Sequence, residues 1–130
     1  MEKLKILVAE DDINVQLLYK KGLSEDKFDL KIVADGDDLL EMYDSWKPDI
    51  IMLDIMMPLM SGYAALKKIR ELEDETDRKT VIIMATSMTD KEDIVDCIRV
   101  GIQGYIVKPF KALRIADMIM AYYNQASKGN

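Results

Sequence analysis

Apolar residues gather along this chain in five short runs: Leu4 to Ala9 (LKILVA), Phe28 to Val33 (FDLKIV), Ile50 to Leu53 (IIML), Val81 to Ala85 (VIIMA) and Gly104 to Val107 (GYIV). The runs without polar alternation predict strands buried on both faces, as in a parallel sheet, although a buried helix segment gives a similar pattern. Between the runs, apolar positions shift to helical spacing. Helices are expected from about Ile13 to Leu23 (Ile13, Leu17 and Leu18, with Gly22 near the end), Asp37 to Trp46 (inner face Leu39, Leu40, Tyr43) and Gly62 to about Leu72 (Tyr63, Leu66, Ile69 inward). A fourth runs to about Val100, and Thr89 with Glu92 fits a capping box at its start. The fifth spans about Lys111 to Tyr123 and carries Leu113, Ile115, Ala116, Ile119 and Met120. Glu71 to Lys79 (ELEDETDRK) reads as a solvated helix end and loop, and Asn124 to Asn130 as a polar, frayed tail. Strands alternating with helical crossovers predict one α/β domain over residues 1–124, with 125–130 as tail. Its five-stranded parallel sheet is doubly wound, with helices on both faces.

A chain of 130 residues is long enough for one proper core, and 49% hydrophobic with 32% charged residues is a globular composition. No apolar stretch approaches the roughly 20 residues that span a bilayer. The opening MEKLKILVAEDD lacks a secretory layout, because its apolar run is short and ends in acids. Cys97 is the only cysteine, so no internal disulfide can form and a reducing, cytoplasmic setting is expected. A net charge of −6 argues against a nucleic-acid surface on this domain, and no membrane partner is expected. Histidine is absent, which excludes histidine metal sites and histidine general bases.

Chemistry collects where open α/β sheets bind ligands, outside the carboxyl ends of the strands. Glu10 and Asp11 follow the first run, Asp54 the third, Thr86 the fourth and Lys108 the fifth. Asp54 ends the apolar strand in DIIMLDIMMP, where an acid is costly unless paired, hydrogen-bonded or bound to a metal. Taken alone it could cap a turn, and Glu10 could merely cap the first helix. Two carboxylates about 4 Å apart repel by ~4 kcal/mol at an effective dielectric of about 20. A cluster of three would therefore raise its pKa values or recruit a cation. All-oxygen ligands with few carboxylates favour Mg²⁺ over Ca²⁺. A carboxylate beside such an ion can attack a phosphoryl group, with the ion and a nearby lysine neutralising charge.

The stretches VAEDD, MLDIMMPLMSG, MATS and GYIVKPF together resemble the receiver domain of two-component response regulators, over roughly residues 4 to 123. The resemblance implies a flavodoxin-like sheet of strand order 2-1-3-4-5. It makes Asp54 the phosphoacceptor, Asp11 the direct ligand of Mg²⁺ and Glu10 a ligand acting mostly through water. The backbone carbonyl of Met56 would complete the protein's share. Thr86 and Lys108 would hold phosphoryl oxygens, helped by the backbone N–H of Ser87. Tyr105 matches the aromatic switch position, and Lys108-Pro109 a bond that is usually cis in the family. Asp12, just after the acidic pair, reads as first-turn helix stabilisation.

The implied donor is a phosphohistidine on a sensor histidine kinase or histidine phosphotransfer protein. It must lie on another chain, since this one has no histidine. Val15 and Leu18 are candidate docking residues for it. A downstream effector is expected at the face made by the fourth helix, fifth strand and fifth helix. The resemblance also implies that the chain catalyses its own phosphorylation and dephosphorylation. Ser87 and Ile102 stand where Ala is common in the family, and Met56 and Met88 occupy positions that tune attacking-water access. Ten methionines fit soft core packing.

Three rival readings stay in view. A phosphorelay shuttle would keep the fold and have no output of its own. A flavodoxin-like FMN carrier needs a phosphate-cradling loop after the first strand, where this chain has EDD. A phosphatase with an aspartate nucleophile expects a second Asp two residues after the first, where Met56 stands. Met1 sits close to the first strand, which argues against the C-terminal end of a hybrid kinase. A stand-alone protein and the N-terminal piece of a longer regulator both stay open.

Overall fold

The computed structural model describes residues 2–76, 78–87 and 91–128. Strands and helices alternate as β1 (Leu4–Ala9), α1 (Ile13–Gly22), β2 (Phe28–Val33), α2 (Gly36–Trp46), β3 (Ile50–Asp54), α3 (Gly62–Asp74), β4 (Val81–Thr86), α4 (Lys91–Val100), β5 (Gly104–Val107) and α5 (Ala112–Lys128). The strands form one parallel sheet in the order β2-β1-β3-β4-β5. The expected doubly wound architecture is therefore the observed one.

Each central strand divides its apolar residues between two faces with the two-residue period of a pleated strand. Ile6, Val8, Ile50, Met52, Ile83, Ala85 and Ile106 pack with Tyr19, Phe110, Ile115 and Ile119 on the side of α1 and α5. Leu7, Ala9, Ile51, Leu53, Ile82 and Met84 face the other way, onto Leu39, Tyr43, Leu66, Ile69 and Cys97 of α2, α3 and α4. Two covered faces explain why β1, β3 and β4 are so apolar. Continuing the same step past Val8, Met52 and Ile106 puts Glu10, Asp54 and Lys108 together on the α1/α5 side. Thr86 and Tyr105 fall on the opposite side, in line with Met84, which pairs with Tyr105. A one-residue slip of β3 would carry Asp54 to the wrong face.

The first three helices begin at polar caps. Asp12 caps α1 by accepting from the Asn14 N–H at 2.8 Å, Asp35 caps α2 through Asp38 N–H at 2.9 Å, and Ser61 caps α3 through Ala64 N–H at 3.1 Å. Asp12 thus stabilises the first helix as expected. Thr89 of the expected capping box and Met88 lie outside the described residues.

In α1 the buried residue is Tyr19, at 1%, whereas Ile13, at helical spacing with Leu17 and Leu18, is 71% exposed. On α5, Leu113 is 94% exposed while Ile115 and Ile119 are buried. Two expectations need correction. Residues 124–128 are helical, because α5 continues to Lys128 and Ala126 still packs against the apolar layer. Within ELEDETDRK, Glu73 is buried instead of solvated, paired with Arg70.

Candidate functional site

Asp54 closes β3 with its side chain buried at the carboxyl edge of the sheet. Its Oδ1 accepts from the Met56 N–H at 3.3 Å and lies 3.2 Å from the Lys108 ammonium. The same ammonium stands 3.0 Å from Glu10 Oε1. Glu10 is 1% exposed, and the turn into α1 wraps around it. Its Oε2 accepts from the Asp12 N–H at 3.1 Å, and its backbone carbonyl accepts from the Gln16 side-chain amide at 2.7 Å. Asp11 is exposed at the rim, and carboxylate oxygens of Glu10, Asp11 and Asp54 come within 4.8 Å of one another.

Neighbouring backbone fixes this edge. The Lys108 N–H donates to the Thr86 carbonyl at 2.7 Å, and the Lys108-Pro109 peptide is cis. Gly62 opens α3 directly against the strand end. A Cβ there would lie 2.1 Å from the Asp54 carbonyl oxygen, so only glycine lets α3 start so close. Its N–H donates to the Ile55 carbonyl at 2.8 Å, which closes the Ile55–Ser61 loop back onto the strand end.

One cation facing two buried carboxylates explains the titration of the group. Burial, and then the Glu10 charge, push the Asp54 carboxyl up to about 6, against the lowering pull of Lys108. Burial alone would lower the Lys108 ammonium. The Glu10 hydrogen bond and the charges of Asp54 and Glu10 outweigh it and hold Lys108 above the ordinary lysine value. Burial leads the Asp54 shift, and the two carboxylates facing one cation account for the Lys108 shift.

Glu10, Asp11, Asp54 and Lys108 are therefore brought together as expected from their strand ends. Thr86 is buried at the end of β4, on the other side of the sheet, with its hydroxyl donating to the Ser87 carbonyl at 3.0 Å. Tyr105 is half-exposed on β5, and its carbonyl accepts from the Tyr122 hydroxyl at 3.0 Å. The Met56 side chain points into solvent. Val15 and Leu18 are half-buried and line an apolar pocket of about 260 Å³ with Lys108, Pro109 and Phe110.

Gln16, Tyr19 and the packing role of Gly62 escaped the sequence reading. Tyr19 could have been found from the spacing Val15, Leu18, Tyr19, Gly22, a truer helical face than Ile13, Leu17, Leu18. Three carboxylates against one ammonium leave the site negative, and hard oxygen donors of this kind fit a small divalent cation such as Mg²⁺.

The sequence matches the family model of the response regulator receiver domain over residues 6–120. The chain belongs to the response regulator receiver family. This receiver is 33% identical over 116 residues to the chemotaxis protein CheY of Bacillus subtilis, covering 88% of this chain and 93% of that protein. It is 30% identical over 130 residues to the probable transcriptional regulator ycf27 of Porphyridium aerugineum, covering all of this chain and 52% of that protein. The receiver spans about half the length of the ycf27 relatives it matches. Among solved structures it resembles the chemotaxis response regulator CheY4 of Vibrio cholerae, with a TM-score of 0.83, 26% identity, and coverage of 93% and 99%. A CheY-like receiver domain protein from Methanospirillum hungatei, at 22% identity, a TM-score of 0.86 and coverage of 99% and 100%, agrees in fold. Among the described residues, no helix is long and apolar enough to cross a membrane.

Proposed function

We propose that this receiver is a phosphorylation-controlled switch whose Asp54 accepts a phosphoryl group from a phosphohistidine of a sensor histidine kinase or a histidine phosphotransfer protein. The observation that carries this reading is the Lys108 ammonium, 3.0 Å from Glu10 and 3.2 Å from Asp54 at the carboxyl edge of the sheet. An Asp54 carboxylate oxygen forms the new P–O bond as the P–N bond breaks, and the leaving imidazole keeps the electron pair and takes up a proton. Glu10, Asp11, Asp54 and the Met56 carbonyl would hold Mg²⁺, which when bound supplies positive charge against the phosphoryl oxygens. Lys108 neutralises one phosphoryl oxygen. Thr86 turns its hydroxyl from the Ser87 carbonyl to another, beside the Ser87 N–H.

The added charge biases an existing two-state element, since only a differential interaction shifts populations. As Thr86 moves inward, Tyr105 follows into the vacated space on the same side of the sheet. That change alters the face of α4, β5 and α5, where Val95, Ile98, Tyr105 and Val107 are exposed and suit an effector surface. Val15 and Leu18, beside Lys108, receive the donor protein. The greater length of the ycf27 relatives supports a place for this receiver as the input part of a longer regulator.

Treated with phosphoramidate and Mg²⁺, the parent protein should take up acid-stable, hydroxylamine-labile phosphate, and Asp54→Asn should take up none. Undiminished labelling of Asp54→Asn would sink the assignment.

A further inference from the structure

We infer that Tyr19 is a positioning residue for Lys108: with Gly22 on the same face of α1, it seats the segment from Phe110 to Ala112 and so fixes where the lysine stands against Glu10 and Asp54. The inference rests on the role proposed for Lys108 above.

Helix α1 bridges the two halves of the site. Its start is tied to Glu10, through the Asp12 N–H on Glu10 Oε2 and the Gln16 amide on the Glu10 carbonyl. Its one buried residue is Tyr19, whose ring centroid lies 4.9 Å from that of Phe110 at an interplanar angle of 51°. Such tilted pairs are favourable beyond the area they bury. Phe110 is itself buried and follows Lys108 by two residues. Three residues after Tyr19, on the same helix face, a Cβ on Gly22 would lie 2.3 Å from both the Ala112 carbonyl oxygen and Ile115 Cγ2. The helix that holds Glu10 thus holds the lysine's loop through an aromatic contact and a close backbone approach.

The apolar pocket of about 260 Å³ lies between Val15 and Leu18 of α1 and Lys108, Pro109 and Phe110 of the loop. Replacing the Tyr19 ring with a smaller side chain would take away the ring against which Phe110, two residues beyond Lys108, is packed. The ring acts as a neutral prop, because burial, with the Glu10 and Asp54 charges, holds the phenol far above its ordinary range. A misplacement of about 1 Å can slow a reaction by up to about 100-fold.

The test measures initial rates of phosphate uptake from phosphoramidate at saturating Mg²⁺ in the full chain. Tyr19→Leu should slow uptake about tenfold, while Mg²⁺ affinity by titration calorimetry stays within about twofold. Tyr19→Phe, which keeps the ring, should restore at least about half of the parental rate. In a Lys108→Ala background, Tyr19→Leu should add nothing further, since its effect passes through the lysine. Phe110→Leu removes the other half of the contact and should give the same defect, which keeps the test alive if Tyr19→Leu fails to fold.

A Tyr19→Leu rate within twofold of the parent overturns the inference. So does an undiminished loss in the Lys108→Ala background, or a Tyr19→Phe protein as slow as Tyr19→Leu. A parent that takes up no phosphate, or is not slowed by Lys108→Ala, overturns the underlying reading of Lys108 instead.

Discussion

Glu10 and Glu73 are both buried glutamates that answer to a single basic side chain, and they sit at opposite ends of the same sheet. At the amino ends of β4 and β5, Arg70 pairs with Glu73 and also donates to the Gly101 carbonyl at 3.0 Å, the Thr80 carbonyl at 3.0 Å and Gln103 Oε1 at 2.9 Å. The other Glu73 oxygen accepts from the Thr80 N–H at 2.6 Å, and Gln103 Oε1 also takes the Ile82 N–H at 2.7 Å. One charge meets one charge, and backbone groups with the Gln103 side-chain oxygen take the other hydrogen bonds. At the carboxyl ends, Lys108 meets two buried carboxylates with a third at the rim. A balanced, saturated pair ties α3 to the start of β4 and to the loop before β5. An unbalanced one stores repulsion that a bound cation can relieve.

The largest consequence falls on the balanced end. Arg70→Met would leave Glu73 buried without its cation, and removing one partner of a buried pair typically destabilises by about 3–5 kcal/mol. Urea unfolding should show that loss. A change below about 1 kcal/mol would break the comparison, since the pair would then be ornamental.

Asp54→Asn should act in the opposite sense, stabilising the protein at pH 7 in a chelating buffer. The Asp54 carboxyl rises from 3.8 to about 6 on folding, so the folded state binds a proton that the unfolded state releases between those values. Stability contributed by this group is full below about pH 4, falls as pH rises, and its ionisation penalty is complete above about pH 6. The variant's advantage should therefore be about 1–2 kcal/mol at pH 7, allowing for screening at the solvent-facing edge, and should vanish near pH 4. Unfolding midpoints of parent and variant from pH 3.5 to 7.5 check this. An advantage that grows toward low pH would reverse the sign.

The contrast also marks what can be read from the chain. Acids and a lysine set directly after several apolar runs mark the carboxyl end of a sheet, because a charge at the end of a buried run is costly unless it finds partners there. The amino end hides. Glu73 lies among Glu71, Asp74 and Glu75, and nothing local separates the buried acid from its solvated neighbours. Its burial depends on Arg70, on Thr80 and on Gln103, which the fold brings together from across 33 positions. Tyr19 escaped for a related reason, since its hydroxyl made it look less apolar than Ile13, which the fold leaves in water. The length of α5 was misjudged because Asn124, Gln125 and Ser127 are polar, whereas Tyr122, Tyr123 and Ala126 keep the helix docked.

The smallest effect is the sharpest discriminator between the two ends. At pH 7, Mg²⁺ at about threefold its dissociation constant should stabilise the parent by about 0.8 kcal/mol, through preferential binding to the folded state. Arg70→Met, however destabilised, should gain the same increment, because its lesion lies at the far end of the sheet, away from Glu10, Asp11 and Asp54. Asp54→Asn should gain clearly less, having lost one of the three clustered carboxylates and the repulsion that favours a cation. Midpoints in urea with and without Mg²⁺ measure all three. An equal gain in Asp54→Asn and the parent would mean that the cation binds elsewhere, and a gain lost in Arg70→Met would mean that the two ends are coupled through β4.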